Sequence, residues 1–371
     1  MNILVSGGGI AGLATALELG NRGHQVTLVE RAAHLRVTGA PIDVRGDAVE
    51  FASRMGVLPK LREQRIRMAE HGVFVHADGS VAARLPVEEM SDSGDDIEIA
   101  REDLARTLAD ALPESTDIVF GDSVDVLTDD GAGVDVHFVS GRAERFDLVL
   151  GADGLHSVTR RLVFGPERDY VRHLGLYVAL TDLPAEARTD RADRTSPLYN
   201  YPGHLASIAR YRNKAFGVFL FRSGLLDYDH RDLDAQKKIL LDAFAGHTEW
   251  KIPQLLDAVR ADPEFYFDSV SQIHMPTWYR GRIALVGDAA HCAALLSGRG
   301  TSLAISGAHF LAEELEDAGG DHTVAFERYE QRQRPYVEFA QNSVTDGGEL
   351  IVPSTQEAID VRNARLQAVA A

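Results

Sequence analysis

Gly7, Gly9 and Gly12 stand at the spacing G-x-G-x-x-G, directly after the apolar run Asn2 to Ser6 (NILVS) and at the head of a helix-spaced run, Ala11 to Asn21. In such a context the first glycine permits a tight turn, the second lets the backbone approach a pyrophosphate, and the third lets the helix pack closely on the strand. Free N–H groups at the helix start then face the phosphates. Glu30 ends the next strand-like run, QVTLVE, where a carboxylate accepts hydrogen bonds from ribose hydroxyls. These residues point to an adenine dinucleotide and leave FAD and NAD both open. The plainer alternative is a glycine-rich turn ahead of a surface helix.

Two later stretches narrow the choice. GADGLHSVTR (Gly151 to Arg160) follows the run FDLVL, and GDAAHCAALLSGRG (Gly287 to Gly300) follows RIALV. In this order with the glycine fingerprint, the stretches resemble the class A flavoprotein monooxygenases, the group that includes p-hydroxybenzoate hydroxylase-like, tetracycline-inactivating and aromatic polyketide hydroxylases. The resemblance covers most of the chain. It implies FAD as cofactor and NAD(P)H as a transient co-substrate. It also implies a reaction in which reduced flavin takes up oxygen at C4a and the hydroperoxide hydroxylates an electron-rich aromatic or polycyclic small molecule. The chemistry would be centred on the flavin, so no side chain is singled out as catalytic and no metal is expected.

Several further cofactor-binding residues follow from the same resemblance. Arg36 is expected on the flavin or the nicotinamide nucleotide, Asp43 near the flavin, Arg101 on FAD, and Asp153 with Arg160 on FAD and the nicotinamide route. Arg31 joins this set, with Arg45 a weaker candidate. Asp288 can accept hydrogen bonds from the ribityl chain, or cap the next helix. Gly298 and Gly300 lie in SGRGT, ahead of a helical run whose positive end favours the negative charge of a reduced flavin. The chain also departs from its relatives. Ala293, Ala294, Leu295 and Leu296 occupy a region where proline is usual, Arg299 stands where Gln is common, and Ser302 where Asn is common. Losing the fixed φ of proline bears on oxygen chemistry more than on FAD binding. Two other readings therefore stay open: an FAD-dependent dehydrogenase or reductase without peroxyflavin chemistry, and a non-catalytic flavin- or ligand-binding protein.

The elements that must position these residues are legible in outline. The chain has 371 residues, more than one ordinary core. The expected architecture is α/β: a Rossmann-type FAD-binding domain (1–70, 97–168 and 275–318) interleaved with a mostly antiparallel-sheet substrate domain (71–96 and 169–274), plus a C-terminal helical segment (319–371). Strand-like runs at Leu174 to Leu180, Leu205 to Tyr211 and Ala215 to Phe221 build the substrate lobe, with Tyr199, Tyr201, Arg210, Phe219 and Met275 as candidate walls. His204 and His274 read as ordinary lobe residues. Pro335 is expected to kink or break the helix spanning Thr323 to Val344.

Composition restricts the partners. A formal net charge of -18 argues against nucleic acid or an anionic membrane, which call for clustered Lys and Arg. The one cysteine, Cys292, fits a reducing compartment. Neither a leader-like start nor an apolar stretch of about 18 residues is present, so a cytoplasmic enzyme of undetermined oligomeric state is expected.

Overall fold

The computed structural model describes residues 1–35, 39–66, 71–85, 93–184, 195–212, 214–344 and 347–370. The chain divides into two compact units, one of Met1–Arg65, Asp95–Arg172 and Ser271–Ser343, the other of Ile66–Gly94, His173–Val270 and Val344–Ala371.

The first unit is built on a six-stranded sheet in the order Tyr279–Arg280, Ile283–Leu285, Leu148–Gly151, Asn2–Ser6, Gln25–Glu30, Thr116–Phe120. All pairings are parallel except that of the Tyr279–Arg280 edge. Parallel strands covered on both faces read as continuous apolar runs, and the first strand shows how. Ile3 and Val5 enter a core with Leu13 and Leu17 of the helix Ile10–Asn21, whereas Leu4 enters one with Val134, Val136 and Phe146. Those last residues belong to, or border, an antiparallel three-stranded sheet, Ala143–Phe146, Val134–Phe138 and Val124–Asp129. The helix Ile10–Asn21 is buried along nearly its whole length, because it shares its core with Leu303, Ile305 and Leu311 of the helix Gly300–Asp317.

The second unit carries a seven-stranded mixed sheet in the order Tyr266–Ile273, Val171–Asp182, Lys214–Arg222, His204–Tyr211, Thr195–Tyr201, His71–Val75, Val81–Arg84. The pairing of Thr195–Tyr201 with His71–Val75 is parallel, and its neighbours are antiparallel. Helices Leu233–Ala243 and Ile252–Ala261 cover one face, through Leu240, Leu255 and Val259. The helix Gln356–Ala370 lies over the far edge, where Leu366 meets Phe74 and Ala83 and the Arg362 guanidinium sits 3.4 Å above the Phe74 ring.

Pro335 does not break its helix. His322–Asn342 runs through it as one element of 21 residues. Contacts on either side of the proline hold both halves: Arg334 lies over Trp278 at 4.8 Å, and Tyr336 packs on Phe310 at 5.6 Å and donates to Asp47 at 2.8 Å. This helix belongs to the first unit, while Gly347–Ile351 and Gln356–Ala370 belong to the second. Among the described residues no helix is long and apolar enough to cross a membrane.

Candidate active site

The opening glycines divide into those the protein itself requires and those it leaves open. At Gly12 an added Cβ would lie 1.8 Å from the Gly7 carbonyl oxygen, and at Gly7, where φ is +111°, it would lie 2.5 Å from the Ala152 oxygen. Close crossing of the turn, the helix and the GADG strand end fixes both. Gly9 differs, because among the described residues nothing beyond its chain neighbours lies within 4 Å of its Cβ position. It begins the helix Ile10–Asn21, which has neither a side-chain cap nor an acidic residue in its first turn. Gly8, which has no role in the fingerprint spacing, donates its N–H to Glu30 at 2.7 Å, and Ala32 N–H donates to the other carboxylate oxygen at 2.7 Å. Glu30 is thereby aimed by two backbone donors and keeps further lone pairs with which to accept.

A second uncapped helix start lies in the same unit. Among the described residues Gly300–Asp317 has no side-chain cap and no acid in its first turn, and beyond the helix itself and the chain neighbours nothing lies within 4 Å of a Cβ at Gly300. In contrast, Asp47–Arg54 and Arg101–Asp110 carry acids in their first turns, Asp47 and Glu50 in one, Glu102 and Asp103 in the other. Gly298 holds the preceding turn in the left-handed region at φ +61°, and the Arg45 guanidinium lies 3.5 Å from where its Cβ would be. Arg45 is fixed there by Asp43, at 2.7 Å, and its backbone N–H donates to Ser302 Oγ at 2.9 Å. The serine standing where asparagine is common thus ties the strand Ile42–Val44 to the helix start. Asp43 therefore orients Arg45, and the sequence had ranked these two in the opposite order.

The other expected residues are distributed around this frame. Arg101 opens its helix with its Cδ 3.2 Å from a Cβ position on Gly39, where φ is +133°. Arg31 is exposed. Arg36 lies outside the described residues. Asp288 is exposed at the head of a short helix, brought there by Gly287, whose Cβ position would be 2.6 Å from Ala11 Cβ. Asp153 is engaged within its own turn: it accepts from Ser157 Oγ, from Thr159 N–H at 2.8 Å and from Thr159 Oγ1 at 3.0 Å. Arg160, fully buried, donates to the carbonyls of Ala289 at 3.0 Å and Leu155 at 2.6 Å and to Glu167 at 2.8 Å. It joins the second motif to the third.

Two features of the third motif are unusual. Ala294, in the loop after Cys292, takes φ +71° and ψ 154°, a conformation almost confined to glycine. Its carbonyl accepts Ser297 N–H at 3.1 Å and Ser297 Oγ at 2.8 Å. His291 is 1% exposed, lies 4.6 Å from the Trp278 ring, and among the described residues meets no hydrogen-bond partner at either ring nitrogen. Burial drives its pKa down to about 3, so the imidazole is neutral.

The candidate substrate walls need correction. Tyr199 pairs with Ala206, Ala206 with Phe219 and Phe219 with Ala179, so they share one sheet face, and that face is the one filled by the helices. Phe219 is fully buried with Phe244 at 5.1 Å, Tyr199 stacks on Trp250 at 5.7 Å, and Tyr201 stacks on His247 at 3.9 Å. These are core aromatics. Arg210, opposite Ala215 in register, sits at the end of the same face. Met275 is not in this lobe but in the core of the first unit. The opposite face carries Leu198, Ser207, Val218 and Leu180 in one cross-strand row.

A parallel α/β sheet with a glycine fingerprint, an acid ending its second strand and a second helix start behind Asp288 defines a dinucleotide-binding flavoprotein unit. The comparisons agree. Residues 1–181 match the family described as FAD binding domain. The chain is 40% identical over 365 residues to the uncharacterized protein Rv1260 of Mycobacterium tuberculosis, covering 96% of each, and 37% identical over 344 residues to a flavin-dependent monooxygenase of Legionella longbeachae, covering 92% of this chain and 87% of that one. The crystal structure of tetracycline destructase Tet(51) superposes with a TM-score of 0.86 at 34% identity, over 99% of this chain and 96% of the other. The chain belongs to the flavin-dependent monooxygenases and is an FAD-dependent enzyme.

Proposed function

We propose that this enzyme uses NAD(P)H to hydroxylate an aromatic or polycyclic small molecule. The observation that carries the cofactor assignment is the pair of long helices, Ile10–Asn21 and Gly300–Asp317, whose starts lack both caps and acids and whose glycines, Gly9 and Gly300, have open Cβ positions. Such helix ends suit a pyrophosphate and the anionic edge of a reduced flavin. On this reading Gly7, Gly9 and Gly12 seat the pyrophosphate, Glu30 takes the ribose, Asp288 the ribityl chain, and Gly298 with Gly300 the flavin. Arg101 and Arg45 supply planar donor forks nearby, with Asp43 orienting Arg45 and Arg160 bracing the two motif loops behind Asp153. FAD held there would accept hydride from the nicotinamide and, once reduced, activate dioxygen. The protein orients the reactants and excludes water.

The second unit is the substrate lobe. Its helix-covered face is filled by its own aromatics, so substrate meets the other face, where Leu180 and Val218 are half-buried neighbours. A broad apolar surface of this kind favours a planar, multi-ring ligand, consistent with the polycyclic substrate in the name of the destructase. The test is an NADH and NADPH oxidation screen against phenols and polyketide-like aromatics, with dissolved oxygen and product mass followed together. A product heavier by one oxygen atom, with matching oxygen uptake, is expected. Turnover without oxygen uptake would make the enzyme a reductase instead.

A further inference from the structure

One buried polar contact in the first unit lies away from all three motifs. His309, on the helix Gly300–Asp317, is 2% exposed, and Glu18, on the helix Ile10–Asn21, is 3% exposed. His309 Nδ1 is 2.8 Å from Glu18 Oε1. Glu18 also pairs with Arg22 on its own helix. The His309 ring stacks on Phe51 at 4.7 Å and 21°, and Phe51 belongs to the helix Asp47–Arg54, which follows Asp43 and Arg45. Arg54 Nη1 approaches His309 Nε2 at 3.5 Å, and Glu313 stands 3.9 Å from the same nitrogen. A carboxylate accepts, so Nδ1 carries the proton in the contact with Glu18.

We propose that His309 is a positioning residue for the flavin. A single imidazole contacts the helix that starts at the pyrophosphate turn and the helix that follows Arg45, and it belongs to the helix that starts at the flavin loop. A buried carboxylate with a directional partner allows few alternative rotations, because any slippage leaves charge unsatisfied. The Glu18–His309 bond therefore fixes the helix Gly300–Asp317 against the helix Ile10–Asn21, and the Phe51 stack fixes both against the Asp43–Arg45 segment. The flavin end of the cofactor depends on this register, while the ADP end needs only the first turn. This inference rests on FAD occupying the two helix starts, and wild-type binding of FAD tests that reading separately.

The experiment measures FAD and ADP affinity by titration of the apoprotein, together with the visible spectrum and midpoint potential of the bound flavin. The variants are E18Q, E18L/H309F and F51L. E18Q keeps an acceptor for Nδ1–H and is expected to resemble wild type. E18L/H309F removes both polar partners together, so neither is left buried alone, and is expected to fold, to bind ADP as wild type does, and to weaken FAD about tenfold with a shifted potential. F51L removes only the stack, is expected to weaken FAD about threefold with ADP unchanged, and keeps the test open if the double variant does not fold. Equal losses of FAD and ADP, or wild-type FAD affinity and potential in F51L and in any double variant that folds, overturn the proposal.

Discussion

The Arg160 guanidinium donates to the Ala289 carbonyl at 3.0 Å while being wholly inaccessible to solvent. Through this bond, made by Nη1, the loop after Gly151 and the loop after Gly287 are held as one piece, with the Leu155 carbonyl and Glu167 taking the Nη2 donors. Arginine is suited to this because its fork reaches several acceptors in fixed directions.

Replacing Arg160 by lysine keeps the charge but cannot serve all three acceptors. The variant is expected to lose about 1–3 kcal/mol of stability, measured by urea denaturation, and to release FAD more readily. Wild-type stability in R160K would refute the bracing role.

The fingerprint glycines are separable by experiment. G9A places a methyl where, among the described residues, no atom beyond the chain neighbours lies within 4 Å, so the apoprotein should unfold at the wild-type denaturant midpoint while FAD affinity falls at least about tenfold. G12A drives a Cβ to 1.8 Å from a backbone oxygen and should destabilise the apoprotein itself, by more than about 3 kcal/mol. If both variants behaved alike in the absence of FAD, the division between cofactor glycine and packing glycine would fail.

Ala294 offers a stability gain. At φ +71° and ψ 154° an alanine carries strain of about 1–3 kcal/mol, against about 0.5–1 kcal/mol of added backbone entropy in the unfolded glycine variant. A294G should therefore be more stable by about 1 kcal/mol. A294P should be strongly destabilised, because proline fixes φ near about -65°. Calorimetry of the two variants, run as apoproteins, checks both signs.

Acid should weaken the fold through His291. Its folded pKa of about 3 lies below the ordinary 6.5, so between those values the unfolded chain binds a proton that the folded chain refuses. Stability then falls as pH drops below 6.5, by up to about 1.4 kcal/mol per unit, and is unaffected by this group above it. The stability difference between H291L and wild type should shift in favour of the variant as pH is lowered from 6.5 to about 4.5. Parallel stability curves would contradict this.

Much of the site was readable because its constraints are local. Gly7 and Gly12 sit where backbone crosses backbone, Gly287 sits against Ala11, and Glu30 takes two nearby backbone N–H groups, contacts that admit few residue types. Other parts were set by distant pairing. Which face of Thr195–Tyr201 is internal depends on where Leu233–Ala243 packs, and a one-residue phase moves every side chain to the other side, so Tyr199 and Phe219 read as walls when they are core. Gly8 escaped notice because its N–H bonds to Glu30 rather than following the fingerprint spacing, and Arg45 stood only as a weaker candidate because its partner Ser302 is far along the chain. The local rule for Pro335 was outweighed by Arg334 and Tyr336, whose partners no nearby sequence discloses.

The segments of the two units alternate along the chain, three in each. No single cut can therefore release either unit by itself: proteolysis between residues 66 and 343 leaves both with strands or helices supplied by separate polypeptides, and a cut nearer either end still divides one of them. Fragment expression and simple lobe exchange between relatives are closed routes for this enzyme, and a graft would have to be made face by face on the intact polypeptide.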